Sequence, residues 1–488
     1  MIIATRRVVA GLAVLLCSGT GMATAAEDGH EKPGQRFGFG DLEIGLTLDA
    51  GLGLFSVTNA QNGLGSLSSH GQRKGGRGWA EGFVTPGLEA EYFLNNTTLY
   101  GAARVTGSAT RGDGEAQRNA VTDMQPESFD LSEAYLGWKS GLAFAALGED
   151  AIDLSAGRQG FVIGDGFLIA DGTLDSFRRA AYVLGPRGSF DRTAILRLNT
   201  APVRADLFHL ASHTDQAYLR GKDAAATSLH GGNIEWFASS HRDHGRSDYE
   251  ERQWYLGATA LRLTDADRAI SPGRDGMDVY AIRSGGALLS ALGEGWRDAA
   301  LYGEFARQRN DNSGRRLRAN AWYIEPQYTF SALPWQPQLS YRYMHFSGDA
   351  DASDGTDKNW DSLFTGGGPR GYGTWDLGEI YARYVGGNSN LNSHMVHLKL
   401  QPDEGLALGA IFYRHTYDKP DTANGVTSDS LQDEVNLYAV WTTPLPGLEI
   451  AAVLGAAKAG TGRRQQLGNS DATDRTTWLG QMVFSYSY

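Results

Sequence analysis

The residues of this chain best placed to do chemistry are basic: Arg104, Arg158, Arg197, Arg383 and Lys399. Each falls out of phase with neighbouring apolar positions, as a side chain does when it points into the interior of a membrane barrel. A ring of arginine and lysine at a constriction selects for anions. On a lipid-facing position the same charge would cost ~2–4 kcal/mol at mid-bilayer. The bland alternative for each is an arginine paired with a carboxylate that only satisfies the interior. Tyr341 and Tyr343 are assigned to the same interior face, where they could stack on sugar rings.

Metal and enzyme chemistry has weaker support. His209, His213, His241, His244 and His345 are the histidines that a rim hydrolase could use. His241-Arg242-Asp243-His244 has ligand-like spacing, yet no third ligand is in view, so solvated loop histidines are the better account. Asp349, Asp351, Asp354 and Asp357 alternate as in a calcium loop, but Gly355 is displaced by one position and no bidentate Glu closes the run. An acidic solvated loop is the favoured reading, with Asp349, Asp351 and Asp354 as the calcium alternative. Gly164-Asp165-Gly166 is not a phosphate loop, because no helix follows. No cofactor and no catalytic set is expected.

The elements that must position these residues are strands. Tyr488, Tyr486, Phe484 and Met482 share one face of the final segment, with Ser487, Ser485 and Val483 between them. An apolar, aromatic stripe running to the chain's last residue suits the closing strand of an outer-membrane barrel. Similar alternation recurs upstream. Leu99, Gly101, Ala103 and Val105 oppose Tyr100, Ala102, Arg104 and Thr106, and Ala194, Leu196 and Leu198 oppose Thr193, Ile195 and Arg197. Val435, Leu437, Ala439 and Trp441 oppose Glu434, Asn436 and Tyr438. A periplasmic sandwich also alternates, but segments of about 10 residues or more fit tilted membrane strands better.

Turn lengths divide into two classes. Tight ones lie at Asn95-Asn96, Asn199–Pro202, Gln401–Gly405 and Thr443–Gly447, and long ones near 57–79, 109–128, 347–391, 419–429 and 461–473. That asymmetry predicts short periplasmic turns, long extracellular loops and both termini in the periplasm. The segments predict an all-β, single-chain antiparallel barrel of 18 strands over residues 41–488, with 213–297 the least legible part. A barrel this wide is not filled by its wall side chains, so it encloses a channel or a plugged lumen. Loop 347–391, with Gly366-Gly367-Gly368-Pro369, is expected to fold over or into the mouth.

Residues 1–26 read as an export signal: Arg6 and Arg7, then the apolar run Val8–Leu16, then Ala23-Thr24-Ala25-Ala26. Cys17, the only cysteine, lies within it, which leaves no thiol for a disulfide, metal or nucleophile downstream. Without Arg6 and Arg7 there are 42 basic against 56 acidic residues, a formal charge of −14 that argues against nucleic acid. Gly is abundant at 64 and Pro scarce at 14, as a barrel requires. Residues 27–40 form a periplasmic segment too short for a plug domain.

Two blocks carry a family resemblance. Asp153-Leu-Ser-Ala-Gly-Arg158-Gln-Gly-Phe-Val-Ile-Gly-Asp165 is a strand ending Gly-Arg-Gln that leads into a Gly-Asp loop. Leu377-Gly378-Glu379, then Ser389-Asn390-Leu391 through Pro402, and Leu406–His415 form a Gly-Glu, Asn-Leu start to a strand, a Pro-containing turn and a return strand. Together they resemble the alginate-export outer-membrane family. The resemblance implies a passive secretion channel with a positively charged lumen for a polyuronate. It places Arg158 at the Gly-Arg-Gln position and Glu133 at an acidic strand position that pairs with a lumen arginine. Asp171 falls near a loop aspartate. The chain departs from the family at Ser132, where an arginine is usual, at Ala451–Leu454 with only Lys458 nearby, and at the short turn Thr443–Gly447.

These observations predict an outer-membrane channel exporting an anionic polysaccharide, with a substrate-specific uptake porin for sugars or small organic acids as the alternative. Glu133, Arg158, Asp171 and Arg383 form the expected core of the lumen charge set. The expected partners are acidic polysaccharide, outer-membrane lipid and a periplasmic secretion scaffold, and the expected state is a monomer.

Overall fold

The computed structural model describes residues 35–488 except 69–70, 74, 117–121, 171–179, 185–189, 215–224, 238–253, 267–272, 313, 352, 367–369, 371, 373–376 and 469–472. The signal-like stretch with Cys17, Asp171 and the His241–His244 pair lie outside the described residues.

Eighteen antiparallel strands close on themselves. In chain order they are β1 (Leu42–Thr58), β2 (Arg77–Leu94), β3 (Thr97–Gly112), β4 (Glu127–Lys139), β5 (Ile152–Gln159) and β6 (Phe190–Asn199). Next come β7 (Val203–Thr214), β8 (Ala225–Phe237), β9 (Tyr255–Thr264), β10 (Asp278–Gly285), β11 (Ala299–Asn310) and β12 (Arg316–Thr329). The last are β13 (Gln338–Phe346), β14 (Leu391–Asp403), β15 (Leu406–Tyr417), β16 (Ser430–Thr442), β17 (Leu448–Ala459) and β18 (Thr477–Ser487). The seam pairs β1 with β18, from Asp49 opposite Ser487 to Thr58 opposite Trp478. Closure leaves no barrel edge with open hydrogen-bonding groups, the condition for crossing a membrane with strands.

Part of the segment expected to precede the barrel joins its wall. Gln35–Phe39 pairs with Leu42–Leu46 of β1. It takes up the edge of β1 just beyond Tyr488, whose backbone exchanges hydrogen bonds with Leu48.

The two ends differ in turn length. Asn95-Asn96, 200–202, Glu404-Gly405 and 443–447 lie at one end, and the loops 59–76, 113–126, 347–390, 418–429 and 460–476 at the other. The short-turn end is the periplasmic one. Among the described residues, the connections 140–151 and 286–298 at that end are longer than the expected pattern. The segment 160–189 is a further long extracellular loop, one the turn pattern alone did not mark.

Period-two patterning decides which side chains meet lipid. Leu136, Leu207, Ile282 and Leu454 stand exposed on the outer face. Phe190, Ile195, Leu210, Leu263 and Phe346 point inward and are buried. The inward set is apolar toward the extracellular half because loop segments descend onto it. Phe161, Phe167, Leu168, Leu363 and Phe364 join those wall residues in one apolar cluster. Val183, Leu184, Ile380 and Tyr384 join Phe55, Trp79, Phe83 and Tyr413 in a second. The loops therefore act as the core that a wide barrel wall cannot supply by itself.

Candidate functional site

The lumen carries two charged layers on different parts of the wall. The first centres on Arg104 of β3, which is 3% exposed. Its guanidinium lies 3.4 Å from Asp49 of β1, 2.5 Å from Glu89 of β2 and 3.1 Å from Glu133 of β4. One cation against three carboxylates leaves a local formal excess of two negative charges. The alignment follows from the register. Arg104 stands opposite Gly87 on one side and Glu133 on the other, and a bulge beside Glu133 places Ser132 against the Arg104 carbonyl. Beside this group, Arg197 lies 3.7 Å from Asp153 and 3.9 Å from Asp206. The Tyr100 hydroxyl donates to Asp153 at 2.6 Å.

The second layer is where loops 160–189 and 347–390 meet the wall. Arg370 of the later loop reaches Asp165 of the earlier one at 2.9 Å and Glu325 of β12 at 3.0 Å. It also lies over the Tyr302 ring at 3.7 Å. The Tyr323 hydroxyl donates to the same Asp165 oxygen at 2.8 Å. Arg342 of β13, wholly buried, lies 3.7 Å from Glu325. Arg283 of β10 pairs with Glu235 at 2.5 Å and donates to Thr259 at 2.8 Å. Gly164 adopts φ +53°, and a Cβ there would meet the Arg283 side chain at 2.8 Å, so the loop approaches the wall only because this residue is glycine.

Two wall carboxylates and an arginine of the loop between β9 and β10 hold the loops down. Glu434 of β16 accepts from the backbone N–H groups of Ile380 and Tyr381, both at 2.8 Å. Glu81 of β2 accepts from Val183 at 2.7 Å and Leu184 at 2.8 Å. Arg274 forks onto Asp361 at 2.8 and 2.7 Å. The two loops are also joined to each other, by hydrogen bonds from Phe364 to the Leu168 carbonyl and from Ala170 to the Phe364 carbonyl. Backbone groups carried into a barrel need such acceptors, since each one left unpaired is costly.

The expected site residues fall into distinct places. Arg104, Glu133 and Arg197 face the lumen as charge networks, and Lys399 faces inward on β14 beside His397. Arg383 also lies inside, but on the inward loop rather than on a strand, paired with Glu379 at 2.7 Å and donating to Gln481 at 2.8 Å. Arg158 corrects the reading. Ser155 and Gln159 are the inward residues of β5, so Arg158 shares the outward phase of Leu154, and it pairs with Asp191 at the loop end. Tyr341 and Tyr343 are corrected in the same way. They flank the inward Arg342 and face outward, where the Tyr341 hydroxyl contacts His394 at 2.8 Å. A shift of one residue in phase moves every side chain to the other face.

Asp349, Asp351 and Asp354 lie in the extracellular loop and do not converge. Arg315 binds Asp349 at 2.7 Å, and Lys358 binds Asp354 at 2.9 Å. The Ser353 hydroxyl and backbone hold the Asp351 carboxyl below its usual range. Among the described residues no three His, Cys, Asp or Glu side chains are placed to hold one metal ion. The residues missed from sequence were Asp165, Arg370, Arg342, Arg283, Glu325 and Glu434. Asp165 carried a signal, a lone acid between two glycines, and Arg342 carried one in the tyrosines on either side.

The barrel fold has counterparts among solved structures. OccK5 (OpdH) of Pseudomonas aeruginosa matches at a TM-score of 0.53 over 91% of this chain and 97% of its own, with 11% identity. OccD3 (OpdP) of the same organism matches at 0.52 over 96% and 98%, with 10% identity. The outer membrane protein OprD from Pseudomonas aeruginosa matches at 0.50 over 97% of each, with 11% identity. At such identities the likeness is one of fold. No curated protein matches the chain. A family model described as alginate export matches residues 94–435, which run from the end of β2 into β16 and include both inward loops. With the fold of a porin-like outer-membrane barrel and that match over most of its length, the chain belongs to the alginate export family.

Proposed function

We propose that this outer-membrane channel passes an anionic polysaccharide, a polyuronate of the alginate type, by diffusion through the lumen. The observation that carries the reading is the match over residues 94–435. It is supported by the arginines gathered where the inward loops narrow the barrel, with Arg342, Arg370 and Arg383 all buried there. Arginine at a constriction favours acidic groups, and its planar fork suits a carboxylate. A carboxylate chain moving past would exchange with Asp165, Glu325 and Glu379 as partners of these guanidinium groups.

A second reading has its own observation. Around Arg104 and Arg197 five carboxylates face two guanidinium groups, so this layer is acidic. Such a layer favours uptake of neutral or cationic solutes over an acidic polymer. The reversal potential of the purified protein in a planar bilayer under a salt gradient separates the two. Anion-selective current blocked by a polyuronate supports export of an acidic polysaccharide. Cation-selective current indifferent to the polymer would replace that reading with an uptake porin.

A further inference from the structure

The outer face of the barrel carries a charged row that the lumen does not explain. His209 of β7 pairs across to His230 of β8, and His230 to Arg262 of β9. Arg262 then faces Asp278 of β10, Asp278 faces Arg309 of β11, and Arg309 faces Arg318 of β12. Every member has the outward phase, and each is a direct cross-strand neighbour of the next. Arg307 and Arg316 flank the row on the same face. On β9–β12 and the turn between β11 and β12, five arginines (262, 307, 309, 316 and 318) thus meet two aspartates, Asp278 and Asp311, a formal excess of three positive charges. A third aspartate, Asp265, lies beside the histidine pair.

The height of this row is set by its neighbours. Immediately toward the periplasm the outward positions become apolar: Tyr280, Ile282, Phe305 and Ile324 are all exposed. Ten residues beyond Arg318 on β12 stands Tyr328, whose ring packs edge-on against Phe330 at 4.9 Å in the opposite girdle. Ten residues of strand rise about 34 Å. At a tilt of about 40° that is roughly 26 Å along the membrane normal, which matches an apolar band of ~25 Å. The β11–β12 end of the row therefore lies at the boundary between acyl chains and headgroups in the leaflet facing the exterior. The row runs deeper towards β7, because cross-strand neighbours follow the strand tilt. At that boundary an outward arginine costs little, whereas deeper in the bilayer it would be strongly unfavourable.

The pairing pattern indicates what completes the row. Elsewhere on the barrel, at β15–β17, each outward cation has an acid: Arg414 forks onto Asp433 at 2.9 and 3.0 Å, and Lys458 lies 4.0 Å from Asp474. On β9–β12 the acids are fewer. Asp278 serves Arg262 at 3.3 Å, and Asp311 is shared by Arg309 and Arg318. Among the described residues neither Arg307 nor Arg316 has an ion-pair partner. Guanidinium groups in a row, at headgroup height, with too few acids of their own, suit phosphate, which arginine binds through two parallel hydrogen bonds.

We infer that the wall from β10 to β12 is a docking surface for a phosphorylated lipid of the outer leaflet, its phosphates on Arg307, Arg309 and Arg316 and its acyl chains along the apolar band below. The test is native mass spectrometry of the full-length mature barrel with diphosphorylated lipid A, its dephosphorylated form and inorganic phosphate. The expected result is retention of the diphosphorylated lipid at least tenfold above the dephosphorylated one, and a loss of that preference in R307Q/R316Q. R307K/R316K should keep it. R307Q/R316Q should also keep the wild-type channel conductance, since neither arginine lies in the lumen. Equal retention of the two lipids, or an R307Q/R316Q barrel that retains the lipid as wild type does, overturns the inference. Binding of inorganic phosphate as tightly as of the lipid would make this a free-anion site and overturn it too. Should R307Q/R316Q fail to assemble, the comparison of the two lipids on the wild-type barrel decides the matter.

Discussion

Asp165 and Arg370 meet at 2.9 Å inside the barrel, and this ion pair joins two loops that begin more than 150 residues apart along the chain. Glu325 completes the contact from the wall at 3.0 Å, so one guanidinium ties both loops to β12.

Arg370→Ala is therefore expected to loosen both loops at once. It leaves Asp165 and Glu325 buried with less compensation, a change worth about 3–5 kcal/mol when a buried pair is broken. Single-channel conductance should rise and the thermal midpoint should fall. The double variant Asp165→Asn with Arg370→Gln should recover part of the stability, because no unpaired charge is left on either loop. An unchanged conductance in Arg370→Ala would show that the loops do not control the lumen.

Arg104→Gln removes the one cation among Asp49, Glu89 and Glu133. The permeability ratio should move several-fold toward cations, while Arg104→Lys should move it much less. Reversal potentials in a salt gradient measure both. A ratio that stays the same in Arg104→Gln would mean that the ions do not pass this layer.

Glu434→Ala takes the acceptor from two backbone N–H groups of the 380–385 turn. Each buried group left unsatisfied costs about 1–3 kcal/mol. Gly378, at φ +88°, lets the chain pass close to this carboxylate, since a Cβ there would lie 2.5 Å from it. The expected outcome is increased current noise and new protease cleavage within residues 377–390, with the barrel still resistant. Cleavage indistinguishable from wild type would show that the turn is held by its apolar contacts alone.

The outward phase of Tyr341 and the inward phase of Arg342 give opposite substitution effects. Arg342→Gln should change ion selectivity, with the loss of stability limited because Glu325 keeps Arg370 as its partner. Tyr341→Arg should leave selectivity alone and destabilise the inserted barrel by up to ~2–4 kcal/mol, the cost of a charge near the middle of the lipid face. Folding titrations in lipid vesicles and reversal potentials together check the pair.

The alternating stripes were enough to determine the closed 18-stranded barrel, its two classes of turn and the inward direction of Arg104, Glu133 and Arg197. Strand alternation is a local property with a period of two, so a few residues of pattern set the face of a whole segment. Tyr341 and Tyr343 were misread because aromatic residues occupy either face, and Arg158 because near a strand end the lipid stripe no longer sets the phase. The inward course of loops 160–189 and 347–390, and the partners Asp165, Arg370, Glu325 and Glu434, were decided only by the tertiary structure. These groups are far apart in sequence and carry no periodicity. What brings them together is the need of a wide lumen to be filled and of every buried charge and backbone group to find a partner.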